Sequence, residues 1–468
     1  MQDMHKYRGF WYAQALDYDS HVAPSLETDV NADVCIIGGG YLGLWTAIRL
    51  KREKANLKVV IVERDLCGGG ASGRNGGVAT NWWGKFLSVR KLCGHEEALR
   101  ICRAAESAID EIGEFCQENG IDAEYRKEGW IWSASSEMQK GSWNTLVDSL
   151  NEYGVNPFIA LAPGEAQART GSPNNIEAVF DPNAATVQPA MLARGLRRHA
   201  LELGVEIYEQ TPMKRLERSK TPIVHTERGR VKAEKVVVAM NAWGAIFPEL
   251  RRDIALVSSD MVATAKAPER LNEIGFTGGE GMTDSRVVLN YYRNTQEGRV
   301  IFGKPLGKFG FGGRVGDMYE GPSPAAKKVT EAFHNIYPNL SDVPIVSSWT
   351  GPLDRAMNGL PTFGHLGGHE NIVYAIGFSG NGVATTVFAS RIVASLTLEK
   401  NDEWSRCGLV DTKIKRFPIE PFRYIGGYMV RDALVRKEAL EDQNKTAGWV
   451  TRKLASLAPA GYVPTKKS

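Results

Sequence analysis

Residues 33–63 constrain the fold more tightly than any other stretch of the chain. Val34-Cys35-Ile36-Ile37 is a short unbroken apolar run, the pattern of a strand buried on both faces of a parallel sheet. It passes directly into Gly38-Gly39-Gly40-Tyr41-Leu42-Gly43, then into a helical pattern with Leu44, Ala47 and Ile48 on one face and Arg49, Lys51 and Arg52 on the other. Val59-Val60-Ile61-Val62 follows as a second buried strand, closed by Glu63 and Arg64. Gly38 suits the tight turn, Gly40 lets backbone approach a pyrophosphate, and Gly43 lets helix and strand pack closely. The helix N-terminus offers free N–H groups and a partial positive charge to phosphates. Glu63, 20 residues after Gly43, is placed to accept hydrogen bonds from ribose hydroxyls, and its charge disfavours a 2′-phosphate. The unit predicts an α/β dinucleotide-binding domain of Rossmann type.

The rest of the chain limits what surrounds that unit. With 468 residues and 43% apolar composition it is long enough for two or three domains around a large core. A net charge of +3, from 57 basic and 54 acidic residues, argues against disorder and against a dedicated nucleic-acid binder. No run reaches the roughly 18 apolar residues of a membrane span, and Met1 to Lys6 lack a signal-peptide pattern. The six cysteines form no CxxC pair, which favours reduced thiols over disulfides or a zinc site. A cytoplasmic enzyme without a metal centre is the expectation.

Beyond the second strand, residues 68–77 hold six glycines around Ala71-Ser72-Gly73-Arg74-Asn75-Gly76-Gly77. In this position the segment resembles that of the FAD-dependent D-amino-acid-oxidase superfamily, closest to its γ-glutamylputrescine-oxidase-like amine oxidases. The resemblance extends over about residues 8–445. It includes Thr186-Val187-Gln188-Pro189, Met213, the strand ending in Asn241-Ala242-Trp243, Tyr291-Tyr292-Arg293, and Trp349-Thr350-Gly351 with Asp354. A third glycine turn, Gly377-Phe378-Ser379-Gly380-Asn381-Gly382-Val383, lies between the apolar run Ile372 to Ile376 and a helix over 384–398. After Phe417-Pro418 the sequence departs from the family by placing Ile419 where a second proline is common.

The resemblance implies FAD, held by Gly38, Gly40, Tyr41, Leu42, Gly43, Glu63 and Arg64, by Ala71 to Gly77, by Met213, Asn241 and Trp243, and by Gly377, Ser379, Gly380, Asn381, Gly382 and Val383. No histidine falls near Cys67–Asn81 and no cysteine in 341–368, the places where relatives attach the flavin, so FAD is expected to be non-covalent. The activity implied is oxidation of a C–N bond in an amine or amino-acid-like substrate. Hydride passes to flavin N5, water hydrolyses the imine, and O2 reoxidises the cofactor to give H2O2. A dehydrogenase passing electrons to a quinone or protein, or a flavin-bearing subunit of a complex, remain alternatives. Thr80 and Ala384 stand where sarcosine-oxidase-type relatives carry basic residues, so the clamp for a small amino acid is missing. An aminoalkyl substrate with a distal anion is expected instead, anchored by Arg293 or Arg355. Trp82, Trp83, Tyr292 and Trp349 are candidate cavity walls, and Lys304 a candidate for activating O2.

The expected architecture interleaves the FAD-binding domain (31–90, 175–245 and 340–400) with an antiparallel-sheet, α+β substrate domain (91–174 and 246–339). Residues 1–30 read as a polar extension lying across the surface. Residues 401–468 read as a helical segment, with Met429, Ala433 and Leu434 on the packed side of a helix over 428–443, followed by a frayed tail.

Overall fold

The computed structural model describes residues 7–461. Met1 to Lys6 and the last residues of the expected frayed tail, 462–468, lie outside the described residues. Two eight-stranded sheets organise the chain. The first runs in the order Thr362–His365, Ile372–Ile376, Arg230–Val238, Val30–Ile37, Val59–Val62, Glu206–Tyr208, with Ile223–His225 and Arg215–Glu217 paired beyond Arg230–Val238. The five strands from Ile372–Ile376 to Glu206–Tyr208 in this order are mutually parallel. Val59, Val60 and Ile61 are fully buried, as a strand covered on both faces requires. Each such side chain stabilises the fold by about 1.5–3 kcal/mol.

The helices Tyr41–Glu53, Pro189–Glu202 and Thr385–Thr397 pack together over one face of this sheet, with Val34, Ile36, Leu44, Ala47, Leu192, Leu196, Val387 and Phe388 in one core. Gly43 shows why close packing excludes a larger residue there: an added Cβ would sit 2.0 Å from the Gly38 carbonyl oxygen.

The second sheet runs Ile345–Ala356, Ile254–Thr264, Val300–Lys304, Tyr291–Asn294, Gly281–Asp284, Trp130–Ala134, Glu177–Asp181, Ile159–Ala160. All its pairs are antiparallel except Gly281–Asp284 with Trp130–Ala134, so the sheet is mixed rather than purely antiparallel. It takes Glu177–Asp181 and Ile345–Ala356 from segments expected in the nucleotide domain. Ile345–Ala356 pairs with Ile254–Thr264 to its last residue, and that paired end brings Asp354 to the first sheet's third glycine turn.

Both ends of the chain correct the sequence reading. The N-terminal segment is no surface extension: Phe10–Tyr18 is a helix whose Trp11 and Tyr12 are buried against Trp349, Met261 and Ile301. Arg8 is buried too, paired with Asp65 at 2.8 Å. At the other end a helix spans Phe422–Glu441, with Ala433 and Leu434 buried and Met429 exposed. Residues 444–461 are folded where fraying was expected, for Trp449–Ala455 is helical and packs Ala455 against the Ala433–Leu434 face. Among the described residues no helix is long and apolar enough to cross a membrane.

Candidate active site

A single cavity of about 610 Å³ runs between the two sheets, within the range of a small-molecule site. One end is formed by the first glycine turn. Gly38 takes φ +113° beneath the Ala239 carbonyl, and the chain enters the helix Tyr41–Glu53 with Gly40 as its N-cap and no side chain of its own capping the turn. Ser72 reaches across from the second glycine segment and accepts from the Tyr41 N–H at 2.9 Å. Glu63 closes the strand, its carboxylate accepting from the N–H groups of Gly39 (2.7 Å) and Asp65 (2.9 Å). Burial raises its pKa to about 7, more than these two hydrogen bonds lower it. Pro212, Met213, Asn241 and Trp243 line the same end. Arg64 lies 4.8 Å over the Trp243 ring and ion-pairs with Glu320.

The second glycine segment is held from behind. Arg74 donates to the carbonyls of Gly69 (2.9 Å), Thr350 (3.2 Å) and Tyr7 (3.2 Å), and the Trp349 indole donates to the Arg74 carbonyl at 2.9 Å. Asn75 closes the turn, donating to Ser72 O and accepting from Gly77 N, both at 2.8 Å.

The third glycine turn depends on Asp354. Its buried carboxylate accepts from Gly377 N at 2.6 Å and Ser379 N at 3.3 Å, and Ser379 Oγ in turn accepts from Ala356 N. Burial raises the Asp354 pKa to about 6. Phe378, Ser379, Gly380, Gly382, Val383 and Thr386 face the cavity at the start of the helix Thr385–Thr397. An added Cβ at Gly382 would have nothing within 4 Å, so the cavity is open there.

The far end is walled by Ser259, Thr283, Leu289, Tyr291, Leu353 and Arg355. Tyr291 pairs its hydroxyl with Ser259 Oγ at 2.6 Å. Arg355 donates to the Ala460 carbonyl at 2.6 Å, and burial lowers its pKa to about 10. No carboxylate among the described residues forms an ion pair with it.

The cavity therefore gathers most of the predicted cofactor residues: Gly38, Gly40, Tyr41, Leu42, Glu63, Arg64, Ala71, Ser72, Arg74, Asn75, Gly76, Met213, Asn241, Trp243, Ser379, Gly380, Gly382 and Val383. Gly43, Gly73, Gly77, Gly377 and Asn381 lie outside its wall, where they shape the turns. Of the predicted substrate residues only Arg355 reaches it. Arg293 lies beneath the second glycine segment, its Nη1 donating to Val187 O (2.8 Å) and Gly77 O (3.3 Å) while its buried Nη2 has no hydrogen-bond partner among the described residues. Tyr292 points to the opposite face of its strand, bonded to Asn175 at 2.8 Å and stacked on Phe302. Trp349 is buried behind Arg74 against Trp11. Trp82 donates to Thr385 Oγ1 and packs on Phe388, and Trp83 packs on Phe86, both in the core. Lys304 is tied to Val288 O (2.8 Å) and Asn290 Oδ1 (2.9 Å), away from the cavity. Tyr291, Leu289, Thr283 and Ser259 were not foreseen. For Tyr291 a signal existed: strand alternation places neighbouring tyrosines on opposite faces.

The donor set fits a large phosphorylated cofactor. Two helix N-termini without side-chain caps of their own open on one cavity, and helix starts bind pyrophosphate by N–H groups and dipole. Asn241 Oδ1, Trp243 Nε1 and Thr283 Oγ1 line the cavity buried and without partners in the protein, as groups awaiting a ligand would be.

A mainly parallel sheet, interleaved with a mixed sheet over a shared cavity, has the two-sheet architecture of a dinucleotide-binding protein. Comparison with known proteins makes the class specific. The family described as "FAD dependent oxidoreductase" matches residues 33–396, and the chain belongs to it. It is 30% identical over 380 residues to the gamma-glutamylputrescine oxidoreductase of Escherichia coli, covering 80% of this chain and 85% of that protein. It is 24% identical to the glycine oxidase of Pseudomonas aeruginosa, over 78% of this chain and 94% of that one. The crystal structure of glycine oxidase from Geobacillus kaustophilus superposes with a TM-score of 0.65 at 21% identity, over 80% of this chain and 96% of the other. The protein is an FAD-dependent oxidoreductase with the glycine-oxidase type of fold.

Proposed function

We propose that this oxidoreductase oxidises the C–N bond of an aminoalkyl substrate bearing a distal anion, with dioxygen as the electron acceptor. Bound non-covalently, FAD supplies a two-electron acceptor that converts the C–N bond to an imine, which water hydrolyses to a carbonyl compound and an amine or ammonia. The first glycine turn and the helix start at Tyr41 would hold its pyrophosphate, Glu63 its ribose, and Met213 and Trp243 the adenine end, all of them lining the cavity. The turn built on Asp354 and the start of the helix Thr385–Thr397 present backbone N–H groups and a positive dipole to the flavin.

The carrying observation is Arg355: a half-buried guanidinium in the cavity wall that no carboxylate of the described chain neutralises. A substrate carboxylate supplies the missing charge by a charge-assisted pair. Leu289, Leu353 and Val383 keep water from the reacting end, which favours the neutral amine whose lone pair the oxidation needs. Tyr291 Oη lies on the same wall and orients the amine. No side chain is assigned as a base.

Anaerobic mixing of the purified holoprotein with panels of amines, N-alkyl amines and amino acids, read at the flavin absorption band, tests this reading. Bleaching by amines carrying a carboxylate, with peroxide formed on admitting air, is the expected result. Bleaching only by a chemical reductant refutes it, and bleaching by amines without peroxide moves the acceptor from dioxygen to a quinone or carrier protein.

A further inference from the structure

The family match ends at residue 396, yet the chain beyond it grips the substrate end of the cavity at two points. Glu438, on the helix Phe422–Glu441, is only 8% exposed, and its Oε1 accepts from the N–H groups of Val287 and Val288 at 3.0 Å each. The next residue, Leu289, lines the cavity. Past the helix Trp449–Ala455 the chain runs back to the other wall, where Ala460 N donates to Met357 O at 3.0 Å and Ala460 O accepts from Arg355 Nη2 at 2.6 Å. Arg286, bridging Asp284 and Asp442, fastens the helix end to the second sheet.

We infer that residues 422–461 are a specificity-determining element of the substrate site, which positions Arg355 through the Ala460 carbonyl and Leu289 through Glu438. The inference rests on the reading of Arg355 as an anion anchor. The choice of partner matters physically. A carbonyl is neutral, so it fixes the guanidinium by one donor without cancelling its charge, whereas a carboxylate in its place would quench it. The remaining donors and the full charge stay available to a ligand in a site where little water screens them. Ala460 and Leu289 do not react; they fix how far from the flavin end an anion is held, and hence the length of substrate accepted.

Equilibrium binding of straight-chain monocarboxylates, acetate to hexanoate, to the holoprotein tests this through the perturbation of the flavin spectrum, with no turnover required. The variants are a chain ending at Leu457, a chain ending at Gly461, Ala460→Pro, which removes the hydrogen bond to Met357, and Arg355→Met. The native chain and the chain ending at Gly461 are expected to bind alike, with a preferred carboxylate length. The chain ending at Leu457 and Ala460→Pro are expected to bind at least tenfold more weakly and to lose the length preference, while keeping FAD. If the shorter chain loses FAD, Ala460→Pro decides the matter alone. Native-like affinity and length preference in Ala460→Pro overturn the inference and leave the anchor intact. Binding that is indifferent to Arg355→Met overturns the anchor and the inference together.

Discussion

The Asp354 carboxylate accepts the Gly377 N–H at 2.6 Å, which fastens the second sheet to the third glycine turn of the first. Asp354 is the last-but-two residue of the strand Ile345–Ala356, and Gly377 follows the strand Ile372–Ile376 directly. A residue of one sheet therefore shapes the cofactor cradle of the other. Asp354→Ala leaves the buried N–H groups of Gly377 and Ser379 without acceptors, at a cost of roughly 2–3 kcal/mol. FAD affinity is expected to fall by about tenfold or more, read as fluorescence of released FAD, with Asp354→Asn intermediate because its amide oxygen still accepts.

Glu63 makes FAD affinity depend on pH. Its pKa in the protein without ligand is about 7, raised by burial. The ionised form accepts from a ribose hydroxyl more strongly than the protonated form, so FAD binding lowers this pKa and, by linkage, affinity falls as pH drops from 8 to 6. In Glu63→Gln the slope is expected to vanish. A native slope that survives the substitution places the titration elsewhere.

The buried carboxyls Glu63, Asp354 and Asp181, with pKa values of about 7, 6 and 6, each make a contribution to apoprotein stability that falls as pH rises. Each lies above its unfolded value, so its contribution is full below about pH 4 and is lost as pH rises through 6 to 7. Lys85 acts in a higher window. Burial lowers its pKa to about 7 from 10.5, so the unfolded chain holds the extra proton between those values and stability through this group rises with pH from 7 to 10.5. Denaturant melts of native apoprotein against Lys85→Met are expected to show the native chain gaining on the variant between pH 7 and 10.

Tyr291 and Tyr292 separate function from packing. Tyr291→Phe removes a hydroxyl in the cavity wall, and is expected to change substrate kinetics severalfold with stability nearly unchanged. Tyr292→Phe removes one of the partners of buried Asn175, and is expected to cost about 1 kcal/mol of stability while leaving FAD and substrate binding alone. Thermal melts and steady-state kinetics on the two variants check both halves.

Local patterns carried the nucleotide half of the molecule. An apolar run, glycines at fixed spacing and a closing acid act within 30 residues, so Val34 to Glu63 folds as read, and the cofactor end of the cavity follows from it. The substrate end was less legible because it depends on pairings across hundreds of residues. Tryptophan composition could not say that Trp349 and Trp11 bury one another, nor that the Arg293 donors go to Gly77 and Val187. The N-terminal segment read as a polar surface extension because its burying surface, Met261, Ile301 and Trp349, lies far along the chain. Arg355 was found, but its tie to Ala460 joins residues 105 apart and leaves no local trace.

If the protein oxidises an amine whose anion rests on Arg355, a ratio of flavin-reduction rates reveals it. Anaerobic reduction of the bound flavin would be timed with two amines of equal length, one ending in a carboxylate and one in a neutral amide, for the native protein and for Arg355→Met. The carboxylated amine is expected to reduce the native protein's flavin at least tenfold faster than the amide, and Arg355→Met to erase the difference while keeping FAD. Equal rates for the two amines in the native protein, or a preference that survives in Arg355→Met, would contradict it.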